Sequence, residues 1–99
     1  MVRTMLLVGE QRSILIVDPN AAIRRMLEVH LVGMGHSVAT CRSASEAIEL
    51  LNAGEFHLVV TESETPDGSG FDILRATQQH PSNHHIATSI ISDRNHPER

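Results

Sequence analysis

Ile14-Leu15-Ile16-Val17 is continuously apolar and mostly β-branched, the pattern of a strand in a parallel sheet covered on both faces. It stops at Asp18-Pro19. Aspartate suits a helix N-cap and proline the first helical position, so a helix is predicted from here, with Ile23, Met26/Leu27, His30/Leu31 and Met34 recurring at helical spacing until Gly33 and Gly35 end it. Ser37 to Cys41 reads as a short second strand. Ser43-Ala44-Ser45-Glu46 is a capping box for a second helix with Ala47, Ile48, Leu50 and Leu51 inward, closed by Asn52-Ala53-Gly54. Phe56 to Thr61 predicts the third strand and Pro66 to Ser69 a turn. Ser69 and Asp72 cap a third helix, with Phe71 and Leu74 facing the sheet and Ile73 as a third candidate, and Pro81 stops it. Ile86 to Ile91 is the fourth strand, followed by the polar stretch 92–99.

Strands alternating with helices at this spacing imply βαβ units, right-handed crossovers and an α/β fold with a parallel sheet. Residues 1–12 form an N-terminal extension before one domain, 13–99. A chain of 99 residues buries about two thirds of the surface its unfolded state exposes.

Charge narrows the function classes. The net charge is -4, and all eight basic residues are arginines, scattered along the chain, so no basic stripe exists to track a phosphate backbone and direct nucleic-acid binding is not expected. Cys41 is the single cysteine, which excludes an intramolecular disulfide and a cysteine-based zinc site and fits a reducing cytoplasmic setting. Met5 to Val8 and Ile14 to Val17 are each too short for a signal h-region or a membrane span, so a cytoplasmic protein without membrane contact is expected.

In an open parallel sheet, reactive groups gather beyond the carboxyl ends of the strands. Those ends carry Asp18, Glu62 and Ser92, and converging carboxylates there suggest a divalent-metal or raised-pKa site. Ile14 to Asp18, the helix residues Ile23 to Leu27 with Gly35, the stretch Leu58 to Gly70 and the strand Ile86 to Ser92 together resemble a receiver domain of bacterial two-component response regulators, in order and spacing from about Ser13 to Asp93. The resemblance implies a flavodoxin-like three-layer sandwich with strand order 2-1-3-4, lacking the last helix, strand and helix of that family.

The same resemblance assigns site residues. Asp18 matches one metal-binding acid, Glu62 stands at the phosphoacceptor position, Ser92 at the switch hydroxyl, and Glu64 where the family's backbone carbonyl contributes to metal binding. The departures are linked: Pro19 replaces the second metal-binding acid, the phosphoacceptor is a glutamate, and the family's lysine has no counterpart because the chain contains no lysine. Glu62 then reads either as a phosphoryl mimic, its extra methylene carrying charge outward, or as the filler of a retired acid pocket. The second reading is preferred, since a mimic requires both a lysine and a hydroxyl to draw inward and only Ser92 is present.

Asp18, Glu62 and Glu64 form the expected acid pocket, with at most weak Mg2+ binding and no other cofactor, and Asp18 also serves as the expected helix cap. His80, His84 and His85 lie close in sequence, but Pro81 breaks the helical geometry a metal site would need, and they read as loop residues. Cys41 reads as a small buried hydrophobe. The expectation is a non-catalytic, pseudo-receiver signalling module of a phosphorelay, whose partners are a histidine kinase or the output domain of a regulator. A small flavodoxin-like FMN- or nucleotide-binding protein and a purely structural dimerisation domain are the alternatives, the former opposed by the lack of tryptophan and tyrosine for ring stacking. Without the family's last elements, one sheet face and edge need a cover. Self-association, the segment Thr4 to Val8, or the remainder of a longer regulator would each supply it.

Overall fold

The computed structural model describes residues 11–80, 83 and 85–91. Strands β1 (Ser13–Val17), β2 (Ser37–Cys41), β3 (Leu58–Glu62) and β6 (Ala87–Ile91) form one parallel sheet in the order β2-β1-β3-β6. Helices α1 (Ala21–Gly33), α2 (Ala44–Ala53) and α3 (Gly70–Gln79) make the crossovers, and a two-stranded hairpin of β4 (Glu64–Thr65) and β5 (Gly68–Ser69) sits between β3 and α3. Each of the four predicted main strands is present, in the predicted 2-1-3-4 order.

The sheet has a core on each side because successive side chains of a strand point to opposite faces. Leu15, Val17 and Val59 pack with Ala44, Ala47 and Leu51 of α2 and Ile73 of α3 on one face, while Ile14, Ile16 and Leu58 pack with Leu31 of α1 on the other. The β1 run Ile14 to Val17 is fully buried on both faces, each side chain contributing about 1.5–3 kcal/mol of transfer free energy. Its continuous apolarity is explained by its place inside the sheet, between β2 and β3. On the α1 side, β6 presents Ala87 and Ser89 exposed and Ile91 half-buried, and α1 itself exposes Met26, Val29 and Val32.

Three local expectations are corrected. Asp18 is not the cap of α1. Its backbone N–H donates to the Cys41 carbonyl at 3.1 Å, so the chain is still extended there, and Pro19 precedes the cap. Asn20 takes the capping role with extended backbone (φ -84°, ψ 114°), accepting from the N–H groups of Ala22 (2.9 Å) and Ile23 (3.1 Å). The capping box of α2 is only half as expected. Ser43 accepts from the Glu46 N–H, but the Glu46 carboxylate takes the N–H of Arg42, one residue before the cap.

In α3 the inward residues are Gly70, Ile73 and Thr77; Phe71 is 57% exposed and Leu74 only half-buried. The reason is steric. A Cβ on Gly70 would lie 2.9 Å from both the Glu62 carbonyl oxygen and the Thr61 methyl, so this residue must face the sheet and thereby sets the rotation of the helix. The Ser69–Asp72 capping box is present as expected. At the other end of α1, Gly35 adopts φ +97°, and the His36 N–H returns to the Leu31 carbonyl at 3.2 Å, so a left-handed glycine ends the helix.

Candidate functional site

Asp18 and Glu62 emerge from adjacent parallel strands whose register pairs Val17 with Thr61, which sets the two acids at the same level of the sheet. Both are buried, with 1% and 3% of their surface exposed. Carboxyl groups leave water only where other groups hold them. Asp18 Oδ1 accepts the Asn20 N–H at 2.8 Å, and Arg24, one turn into α1, donates its guanidinium to the Asp18 carbonyl oxygen at 2.7 Å. A permanent positive charge is thereby brought to the main chain of this acid.

Glu62 is fixed from several sides through its neighbour Ser63. The Ser63 hydroxyl donates to Glu62 Oε2 at 3.2 Å, the Ser63 N–H donates to the Ile91 carbonyl at 2.7 Å, and the Ser63 carbonyl accepts from the Gly70 N–H at 3.0 Å. One residue therefore joins the acid, the end of β6 and the start of α3. Thr61 adds a hydroxyl bond to the Glu62 carbonyl at 3.0 Å. Ser92, the expected switch hydroxyl one residue beyond β6, lies outside the described residues, as do His84, Pro81 and the segment Thr4 to Val8.

Of the expected acid pocket, the structure brings Asp18 and Glu62 together and leaves Glu64 out. Glu64 is exposed, because the chain has already turned at Ser63 into the β4–β5 hairpin. Among the described residues no group of three or more His, Cys, Asp or Glu side chains is placed to hold a metal ion. Pro19 stands where a second acid would be, and one Glu62 oxygen accepts from the Ser63 hydroxyl.

Beyond the acids, two concavities are large. A groove of about 570 Å3 lies beside β2, lined by Arg24, Thr40, Cys41, Arg42, Glu46 and Leu50 among others, and none of its lining side chains is aromatic. A flavin placed there would have no ring to stack on. The other, about 530 Å3, lies towards the start of β3 around Phe56 and His57, away from the acids. Cys41, lining the first groove, is a buried thiol as expected, its Sγ 3.8 Å from the Ser43 carbonyl oxygen, and burial pushes its pKa up from 9.0 to about 11.

Sequence reasoning missed Ser63, Arg24 and Asp67. Ser63 acts mainly through its backbone, which no residue type announces. Arg24 was one of eight dispersed arginines, and its bond depends on the path of the chain through Pro19 and Asn20. Asp67 read as a turn residue, yet its carboxylate accepts the N–H groups of Ala44 (2.8 Å) and Ser45 (3.1 Å) at the start of α2.

A parallel sheet of order β2-β1-β3-β6 with paired acids at the ends of β1 and β3 defines the class of flavodoxin-like signalling receivers. The chain belongs to the response regulator receiver domain family, whose model matches residues 14–98. It is 40% identical over 72 residues to the response regulator protein PilR of Pseudomonas aeruginosa, a match covering 72% of this chain and 16% of PilR. To the chemotaxis protein CheY of the same organism it is 29% identical over 81% of this chain and 65% of CheY. The chain thus spans about one sixth of PilR and less than two thirds of CheY. In structure it resembles the chemotaxis response regulator CheY4 of Vibrio cholerae, with a TM-score of 0.81 at 21% identity, covering 90% of this chain and 74% of that one.

Proposed function

We propose that this receiver domain signals by protein contacts alone and does not pass through an aspartyl phosphate. The observation that carries the reading is Glu62: a buried glutamate at the phosphoacceptor position, one carboxylate oxygen held by Ser63 and the second family acid replaced by Pro19. The partners are a histidine kinase or the output domain of a regulator, in the cytoplasm. No described helix is long and apolar enough to cross a membrane.

Self-association is part of the proposal. The exposed side chains Met26, Val29 and Val32 on α1, and a β6 edge strand without charge or proline, support it. Light scattering across a dilution series is expected to show a particle mass that falls on dilution, and a constant monomer mass would remove this element of the reading.

The phosphorylation claim is tested by incubating the full chain with acetyl phosphate and Mg2+ and weighing it intact. No phosphoryl adduct is expected on the natural chain. Glu62→Asp alone is expected to remain unmodified as well, since Pro19 still stands in place of the second acid. A stoichiometric, hydroxylamine-labile adduct on the natural chain overturns the proposal.

A further inference from the structure

The hairpin after β3 touches more than its own neighbours. Its base is closed by the Gly70 N–H donating to the Ser63 carbonyl at 3.0 Å, immediately beside Glu62. Its two short strands pair Glu64 with Ser69 and Thr65 with Gly68, leaving Pro66 and Asp67 at the tip. That tip reaches a different element. Asp67 Oδ1 accepts from Ala44 N–H (2.8 Å) and Oδ2 from Ser45 N–H (3.1 Å), while the Thr65 hydroxyl donates to Oδ1 at 3.3 Å. An added Cβ on Gly68 would sit 3.5 Å from the Ala44 methyl, so the hairpin also packs on the first residue of α2.

Helix α2 therefore has two caps at its start, its own Ser43 and a carboxylate supplied from 22 or more residues away. Free N–H groups at a helix start are met by a local side chain in the ordinary case. Here two of them are met by a group whose loop begins at the acid end of β3.

We infer that residues 64–69 form a clamp tying the acid end of β3 to helix α2, with Asp67 as its latch, so that hairpin and helix start open and close as one unit. The bonds of the latch also hold the Asp67 carboxyl down at about 2, the hydrogen bonds from Ser45 and Ala44 being the cause, which keeps it ionised at neutral pH. Pro66 and Asp67 are exposed, so the latch can release without disturbing the core. The inference does not depend on whether Glu62 accepts a phosphoryl group; it concerns how a change at that strand end reaches a surface helix.

Amide hydrogen exchange of the full chain, read by NMR, tests it. Asp67→Ala is expected to accelerate exchange at Ala44 and Ser45 by about tenfold, the scale of a lost helix cap. The Gly70 amide at the base of the hairpin should accelerate with them, while Leu15 and Val59 in the core and Gly54 at the far end of α2 stay unchanged. Asp67→Asn, which keeps one carbonyl acceptor, should fall between, and it carries the test if the alanine variant does not fold. Acceleration at Ala44 and Ser45 with Gly70 unchanged reduces Asp67 to a simple cap and overturns the clamp, and equal acceleration at every amide, core included, overturns it as well. In the same spectra Glu62→Gln should shift the Ala44 and Ser45 resonances in the natural background and leave them in place when combined with either Asp67 variant. Shifts of equal size in both backgrounds, or in neither, contradict a link through Asp67.

Discussion

Glycines show how much one atom decides in this chain. At Gly70 a Cβ would meet the Glu62 carbonyl oxygen and the Thr61 methyl at 2.9 Å, and backbone oxygen cannot move aside as a flexible side chain can. Gly70→Ala should therefore destabilise by about 1–3 kcal/mol, read as a lower urea midpoint at unchanged slope. Gly33, the last residue of α1, has nothing within 4 Å of the same added atom and does not carry a positive φ. Gly33→Ala should stabilise by about 0.5–1 kcal/mol through the entropy of the unfolded chain. Composition counts both residues alike; only the distance to neighbouring atoms separates them. Ser63 illustrates the same limit. A serine after a strand-end acid is unremarkable in sequence, while its three bonds to Glu62, Ile91 and Gly70 exist only after the strands have met.

At the scale of elements, periodicity located the helices and packing set their rotation and start. The spacing in α3 allowed Phe71, Leu74 or Ile73 to face inward, and the close approach of Gly70 selected Ile73, which is fully buried. Ile73→Ala should cost about 2–5 kcal/mol in chemical denaturation. Phe71→Ala, on the exposed side, should change stability by no more than about 0.5 kcal/mol, a contrast opposite to what residue size suggests. For α1, the sequence placed the cap at Asp18, and Asn20 takes it instead because Asp18 continues the β1–β2 ladder through its bond to Cys41. Asn20→Ala should cost about 1 kcal/mol by the same denaturation measurement. The strand pattern needed little correction: the third strand runs Leu58–Glu62 where Phe56 to Thr61 was expected, and the others begin or end within a residue of their expected bounds.

For the whole molecule, composition and burial together isolate a single titration. The chain has no lysine, no tyrosine and one cysteine, so the side chain that titrates in moderately alkaline solution is Cys41. Its thiol, at the end of β2 and packed with the side chains of α2, is pushed up to about 11 by burial. A group whose pKa is raised by folding stabilises the native state below its unfolded value and loses that contribution as pH climbs towards the folded one. Stability should thus be level through pH 8 and decline between about pH 9 and 11, and Cys41→Ala should abolish the decline in urea titrations at stepped pH. Thiol-reactive dye at pH 8 should label the native protein slowly and the urea-unfolded protein fast.

The sequence alone determined the order of strands and helices, the parallel sheet and the family resemblance, because these follow from hydrophobic period, turn residues and motif spacing, all properties of neighbouring positions. It also marked Asp18 and Glu62 as acids at strand ends. Tertiary structure decided which acids meet: Glu64 turns outward with the hairpin, while Asp18 and Glu62 are set side by side by the β1–β3 register. It also decided that Asp67 caps a helix from which it is 23 positions removed at Ala44. Those contacts join residues distant in the chain, and no local pattern encodes them, because they arise only when the sheet has brought its strand ends to one edge.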